Sequence, residues 1–180
     1  MKKRSTRILS VLLAVLLFCS ALLPCSFAAT AEEWDENWDR LKNDSSAVSL
    51  SPGSDPSSMN FTWLTPTDSG MVMFQIATDS SMKNGKFLMV ERTHTALYGW
   101  KNDVTAENLK SDTTYYYRVA EKGKWSKTYS FNTGNEKDYS VLFVSDTQIG
   151  RSGDRKLDEV LKRDSLGWNN TLEAAVKYAP

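Results

Sequence analysis

Thr114-Tyr115-Tyr116-Tyr117-Arg118-Val119-Ala120-Glu121-Lys122-Gly123-Lys124-Trp125-Ser126-Lys127-Thr128-Tyr129-Ser130-Phe131 is the stretch on which the fold turns. Tyr115, Tyr117 and Val119 alternate with Tyr116, Arg118 and Ala120, and a period of two belongs to a strand with one face against a core. Lys122-Gly123-Lys124 supplies a turn, after which Trp125, Tyr129 and Phe131 are the large apolar positions of the next strand.

Toward the N-terminus the same period recurs. Met59, Phe61 and Trp63 alternate with Asn60 and Thr62, and Thr65-Pro66-Thr67-Asp68-Ser69-Gly70 ends the run. Met71 to Ala77 reads as a second strand, Lys86 to Arg92 as a third and Thr93 to Tyr98 as a fourth. Short strands at roughly ten-residue spacing with turn signals between them predict a mainly β chain built on an antiparallel β-sandwich over residues 45–134. Trp63, Leu109, Tyr115 and Tyr117 are its candidate core residues. The stripe Tyr115, Tyr116, Tyr117, Trp125 and Tyr129 has a sugar-stacking platform as one reading, but core packing explains its inward half and exposed Tyr116 alone is weak evidence for carbohydrate. Asp44 to Ser58, rich in Ser, Asp, Pro and Gly, reads as a loop holding one edge strand at Ala47 to Leu50. Before it, residues 30–44 place Trp34, Trp38 and Leu41 at i, i+4 and i+7, with acids early and Arg40 and Lys42 late, which predicts a short amphipathic helix.

The first residues read as an address. Lys2, Lys3, Arg4 and Arg7 precede an apolar run from Ile8 to Leu23, then Pro24 and the small residues Ser26, Ala28 and Ala29 follow. These are the three regions of a signal peptide over residues 1–29, cleaved after Ala28 or Ala29, with a short transmembrane anchor as the alternative. The expectation is a secreted or cell-surface protein with no stable membrane span after cleavage. Both cysteines, Cys19 and Cys25, lie in this segment, so the rest can form no disulfide and no thiolate metal site. Across 180 residues the charge balances at 22 basic and 22 acidic side chains, but without the leader the remainder is net acidic by four. That excludes the electrostatic footprint of a nucleic-acid or anionic-membrane binder. At 41% hydrophobic content the chain fills one to one-and-a-half domains, and disordered or collagen-like classes are ruled out.

After Thr133-Gly134-Asn135 the character changes. Tyr139 to Ser145, YSVLFVS, is apolar without alternation, as in a strand buried on both faces of a parallel sheet. Leu157, Val160 and Leu161, then Trp168, Leu172, Ala175, Val176 and Ala179, fall at helical spacing. Residues 138–180 therefore read as the first strand, loop and helix of a truncated α/β domain, because a parallel strand without a partner leaves its backbone unsatisfied.

Leu109-Lys110-Ser111-Asp112-Thr113-Thr114-Tyr115-Tyr116-Tyr117-Arg118-Val119 resembles the L-x-P-x-T-x-Y-x-Y-R-V stretch of fibronectin type III-like domains, with Ser111 where proline is usual. In that family the Leu and first Tyr close a corner of the sandwich. WSKTYSFNTG, residues 125–134, resembles the last strand of the version that precedes purple acid phosphatases and related calcineurin-like metallophosphoesterases. Asp146-Thr147-Gln148-Ile149-Gly150 follows where that catalytic domain begins. The resemblance implies Asp146 as a metal ligand, since the family's first motif is an Asp at a strand end, where a carboxylate points into the ligand crevice. Gln148 stands where the family has His or Gly, and its amide oxygen is a weak ligand or holds a ligand water. The complete protein would then carry divalent or trivalent metal ions of the iron, zinc or manganese type and act on a phosphate ester through metal-bound hydroxide. The family completes its site with G-D-x-x, G-N-H and later histidine motifs. This chain has one histidine, His94, inside the sandwich, and Gly153-Asp154 follows IGRS instead of an apolar strand, so neither supplies a missing motif. The resemblance thus implies the N-terminal fragment of a secreted phosphoesterase, inactive as this chain and binding no metal tightly. The alternative is a non-catalytic extracellular sandwich serving as a binding or spacer module.

Overall fold

Alternation in the sequence becomes alternation in burial once the strands pair. The computed structural model describes residues 29–96, 99–135, 137, 142–153 and 156–178. The expected leader of residues 1–29, except Ala29, lies outside them, as do Leu97, Tyr98, residues 138–141, Asp154 and residues 179–180. The chain divides into two units, one of residues up to Glu36 with Ser145–Tyr178, the other Asn37–Val144.

The second unit holds nine strands among the described residues: β1 (Ser49–Pro52), β2 (Met59–Thr65), β3 (Val72–Ala77), β4 (Lys86–Leu88), β5 (Glu91–Thr95), β6 (Gly99–Ala106), β7 (Thr114–Glu121), β8 (Lys124–Trp125) and β9 (Tyr129–Asn132). They form two sheets, ordered β1-β2-β6-β5 and β4-β3-β7-β8, with β9 also on β7, and every pairing is antiparallel. In β2, Phe61, Trp63 and Thr65 are buried, and in β3 Val72, Phe74 and Ile76 oppose them from the other sheet. Phe61 and Phe74, both without solvent exposure, meet at 4.7 Å between ring centroids, and Tyr117 lies 5.1 Å from Phe61. Tilted and offset aromatic contacts of this kind add to what area burial alone contributes.

Trp63, Leu109, Tyr115 and Tyr117 are all buried. The Tyr115 hydroxyl accepts a hydrogen bond from the Lys110 amide at 2.9 Å, closing the corner that leads into β7. This is the tyrosine corner of immunoglobulin-like sandwiches, in which a phenol satisfies a backbone donor that the turn would otherwise strand. Asp112, with φ of +49°, and its amide bond to the Gly134 carbonyl (2.7 Å) complete that turn without the usual proline.

Three expectations require correction. Lys86 to Arg92 is two strands: β4 ends at Leu88, Met89 is 86% exposed, and β5 begins at Glu91 in the opposite sheet. The chain changes sheets here, at an exposed Met89 followed by Val90, which packs against the core. Over its described part, Thr93 to Tyr98 is not a separate strand, since Thr93, His94 and Thr95 belong to β5. The edge strand placed at Ala47 to Leu50 lies at Ser49–Pro52, held by its register with Met59–Thr62.

β6 has no counterpart in the alternation read above. Its inward positions are Asn102, Val104 and Ala106, and the most deeply buried of these side chains is polar. Gly99 opens it with φ of +80°, and a Cβ there would stand 2.4 Å from the Thr65 carbonyl, so only glycine fits.

Helix α1 (Ala31–Lys42) starts at a reciprocal cap: the Thr30 hydroxyl accepts from the Glu33 amide at 3.2 Å, and the Glu33 carboxylate accepts from the Thr30 amide at 3.1 Å. Trp38 is its buried residue. Helix α2 (Leu157–Tyr178) runs without interruption and buries Val160. The strand expected at Tyr139 to Ser145 is not present over its described part. Leu142, Phe143 and Val144 carry no regular structure and are exposed. A strand of that composition needs parallel neighbours on both sides, and the described residues contain no parallel pair. The α/β domain start is therefore not seen as a sheet.

Candidate functional site

The segment after Val144 carries the candidate ligands, and its local chemistry fixes their arrangement. Asp146 accepts from the Gln148 amide at 3.1 Å, an Asx turn, and its other carboxylate oxygen accepts from the Gln148 side-chain amide. Both residues are exposed, and Gln148 has φ of +51°. Asp146 thus folds its own loop back on itself and draws Gln148 to it.

The next turn is tied to α2. The Gly150 amide donates to the Asp164 carboxylate at 2.9 Å, the Ser152 hydroxyl donates to the other Asp164 oxygen, and Arg163 donates to the Ser152 carbonyl and hydroxyl. Gly150 has φ of +85°, and a Cβ on it would press within 3.3 Å of Leu161. The Ser152 hydroxyl above all, then the Gly150 and Ser152 amides and the Arg163 charge, hold the Asp164 carboxyl below the usual carboxylate range. Asp164 has no place in the reading of the sequence. The signal that would have found it is a helical carboxylate facing a Gly-x-Ser turn twelve to fourteen residues earlier, which periodicity does not register.

Among the described residues no three His, Cys, Asp or Glu side chains gather to hold a metal ion. Asp146 and Gln148 offer one carboxylate and one amide oxygen, and transition metals in proteins take four or more ligands. The described residues therefore do not fit a complete metal centre. His94 lies on β5 with its ring edge-on to Trp100, 5.0 Å between centroids, far in function from any carboxylate cluster.

The sandwich has a polar node of its own. Asn102, fully buried, lies within hydrogen-bond reach of the Trp63 carbonyl (3.2 Å) and the Thr65 hydroxyl (3.1 Å) and accepts from Arg92 Nε at 2.9 Å. Arg92 also donates to the Gly70 carbonyl and the Ser69 hydroxyl, each at 2.7 Å, and lies 4.7 Å from the Trp100 ring. All three guanidinium nitrogens are engaged, so this node is a brace between β2, β5, β6 and the β2–β3 loop, with no group left over for a ligand.

Two four- to five-stranded antiparallel sheets, a chain that passes from one to the other between β4 and β5, and a tyrosine corner define a β-sandwich. Residues 45–133, just under half of the chain, match the family model of the purple acid phosphatase N-terminal domain. No curated protein matches the chain. Among solved structures, the sensor domain of the anti-sigma factor RsgI4 in Pseudobacteroides cellulosolvens is similar at 16% identity in two forms. A short version has a TM-score of 0.37 and covers 51% of this chain and 97% of its own, and a solution structure has 0.38, covering 62% and 92%. No helix among the described residues is long and apolar enough to cross a membrane.

Proposed function

We propose that this chain is the N-terminal portion of a secreted, purple acid phosphatase-like metallophosphoesterase, in which the sandwich is an accessory domain and Asp146 is the first ligand of a metal centre completed by later residues. The observation that carries the reading is the family match over residues 45–133, on a sandwich with a tyrosine corner, followed beyond residues 134–145 by Asp146-Thr147-Gln148-Ile149-Gly150. In the complete protein the substrate is a phosphate ester and the metals are of the iron, zinc or manganese type. The charged start, apolar middle and small-residue exit support export, with the mature N-terminus between Ala28 and Ala31.

The test reads the coding frame downstream of Pro180 and assays its product. The proposal expects Gly-Asp, Gly-Asn-His and paired-histidine motifs, and a metal-loaded product that hydrolyses an aryl phosphate and loses that activity with Asp146→Asn. It expects no turnover from the 180-residue chain itself under the same metals. A frame that closes at once, or turnover by the 180-residue chain abolished by Asp146→Asn, overturns it, the first outcome in favour of the non-catalytic binding or spacer module. Intact-mass analysis of exported material tests secretion separately. A stable membrane-embedded form beginning at Met1 would overturn that part.

A further inference from the structure

The outer face of the sheet built on β3 and β7 carries side chains that core packing does not use. Register sets Phe87 of β4 beside Gln75 of β3, Gln75 beside Arg118 of β7, and Ala120 of β7 beside Trp125 of β8. Strand alternation puts all of them on the face opposite Phe74, Tyr117 and Val119. Phe87 and Trp125 come from strands separated by β3 and β7, yet their rings lie 6.0 Å apart.

Against Trp125 the Arg118 guanidinium is fixed on two sides. Arg118 Cζ lies 4.3 Å from the Trp125 ring centroid, and Arg118 Nε donates to Gln75 Oε1 at 2.9 Å. Gln75 is itself buried, with its amide nitrogen donating to the Gly85 carbonyl at 3.2 Å and reaching the Met82 carbonyl at 3.4 Å. Among the described residues, Arg118 Nη1 and Nη2 donate to no protein group. Beside this spare fork Phe87 is 62% exposed, whereas Phe61 and Phe74 are wholly buried.

An immobilised guanidinium fork matches a carboxylate in two parallel hydrogen bonds. Its rotamer is already set, so little entropy remains to be lost on binding. An exposed ring on a strand offers a rigid flat apolar face, which suits a stacked ring better than the inserted side chain a pocket would take. A pyranose bearing a carboxylate presents both complements together, a face of C–H groups and an anionic group at the ring edge. We propose that this face binds acidic polysaccharide through a uronate residue, with Phe87 stacking on the sugar and Arg118 pairing with its carboxylate. Trp125 and Gln75 are positioning residues that hold the guanidinium. The site stands independently of the phosphoesterase reading.

The test titrates the full chain with polygalacturonate oligomers by calorimetry, beside the methyl-esterified oligomers, a neutral glucan and poly-glutamate. The expected result is saturable uronate binding that salt weakens and esterification removes. Phe87→Ala and Arg118→Gln should each weaken it about tenfold, the size of one stacking or charge-assisted contact. Phe87 is exposed, so Phe87→Ala should melt as the parent does, which separates lost binding from lost folding. Absence of saturable binding at millimolar uronate, or unchanged affinity in Phe87→Ala, overturns the proposal. So does poly-glutamate binding as tightly as the uronate, which would mark an acidic-peptide surface instead.

Discussion

Asn102 shows at the scale of one residue why part of the sandwich was hidden in the sequence. A buried amide that reaches the Trp63 carbonyl, the Thr65 hydroxyl and Arg92 braces two strands and a loop, yet it reads as a polar break in an apolar alternation. Asn102→Ala removes these partners at once and leaves a guanidinium and a hydroxyl short of theirs. The expected loss is about 2–4 kcal/mol, the range for stranding more than one buried polar group, seen as a lower urea midpoint with an unchanged slope. Tyr117 gives a second prediction. Burial, with Tyr129 beside it adding to the effect, pushes its phenol up to about 12 from an ordinary 10.0. The folded state therefore favours the protonated form, so this contribution to stability is whole below pH 10 and is lost as pH rises through about 12. Tyr117→Phe should fall less steeply than the parent in stability between those limits. Parallel curves for the two proteins would show that Tyr117 does not titrate as described. By contrast Phe61, Trp63, Tyr115 and Tyr117 were legible, because large apolar side chains at period two announce an inward face without ambiguity.

At the scale of elements, legibility followed from how each strand balances its two faces. β2 and β7 bury aromatic residues on one side and show polar ones on the other, and their pattern states their position. β4 and β5 are short edge strands in different sheets, and no local signal at Met89-Val90 announces the crossing, since sheet membership is decided by the partner strand. β8 and β9 lie along the same strand, β7, interrupted where Ser126 uses its hydroxyl as acceptor for the Val119 amide at 3.2 Å. Helix α1 was legible from its apolar spacing, and its start is fixed by the Thr30–Glu33 cap. Thr30→Ala should cost the helix about 1 kcal/mol, typical of losing an N-cap. The expected readout is faster hydrogen exchange at amides of the first turn with slower change beyond it. Unchanged exchange there would mean the cap does not hold the helix end.

For the whole molecule, the chain divides into two units, Asn37–Val144 and a second one that holds Ser145–Tyr178. The sandwich buries its aromatic residues between two sheets, with its corner closed by Tyr115. Beyond it, Leu142 and Phe143 are exposed and Asp146 is occupied with its own loop. The apolar β-prone run of that tail states what it would do with parallel neighbours, which the described residues do not supply. Such an uncovered run recruits intermolecular pairing. Removing residues 135–180 should therefore raise solubility, checked by light scattering against concentration. Equal association of the two forms would place the sticky surface on the sandwich. The candidate ligands Asp146 and Gln148 were legible as a motif, but the tie of their loop to α2 through Asp164 was not, since it joins residues without any common period.

Thermal unfolding of residues 45–134 beside the full chain shows whether the sandwich is self-contained and whether the segment after it adds to its stability. One cooperative transition is expected in each, with midpoints within about 3 °C, a difference below about 1 kcal/mol for a domain of this size. Trp63→Ala, which opens a cavity in the core, should lower both by a similar amount, equivalent to about 3–5 kcal/mol. Non-cooperative melting of residues 45–134, or a midpoint far below that of the full chain, would contradict a self-contained sandwich.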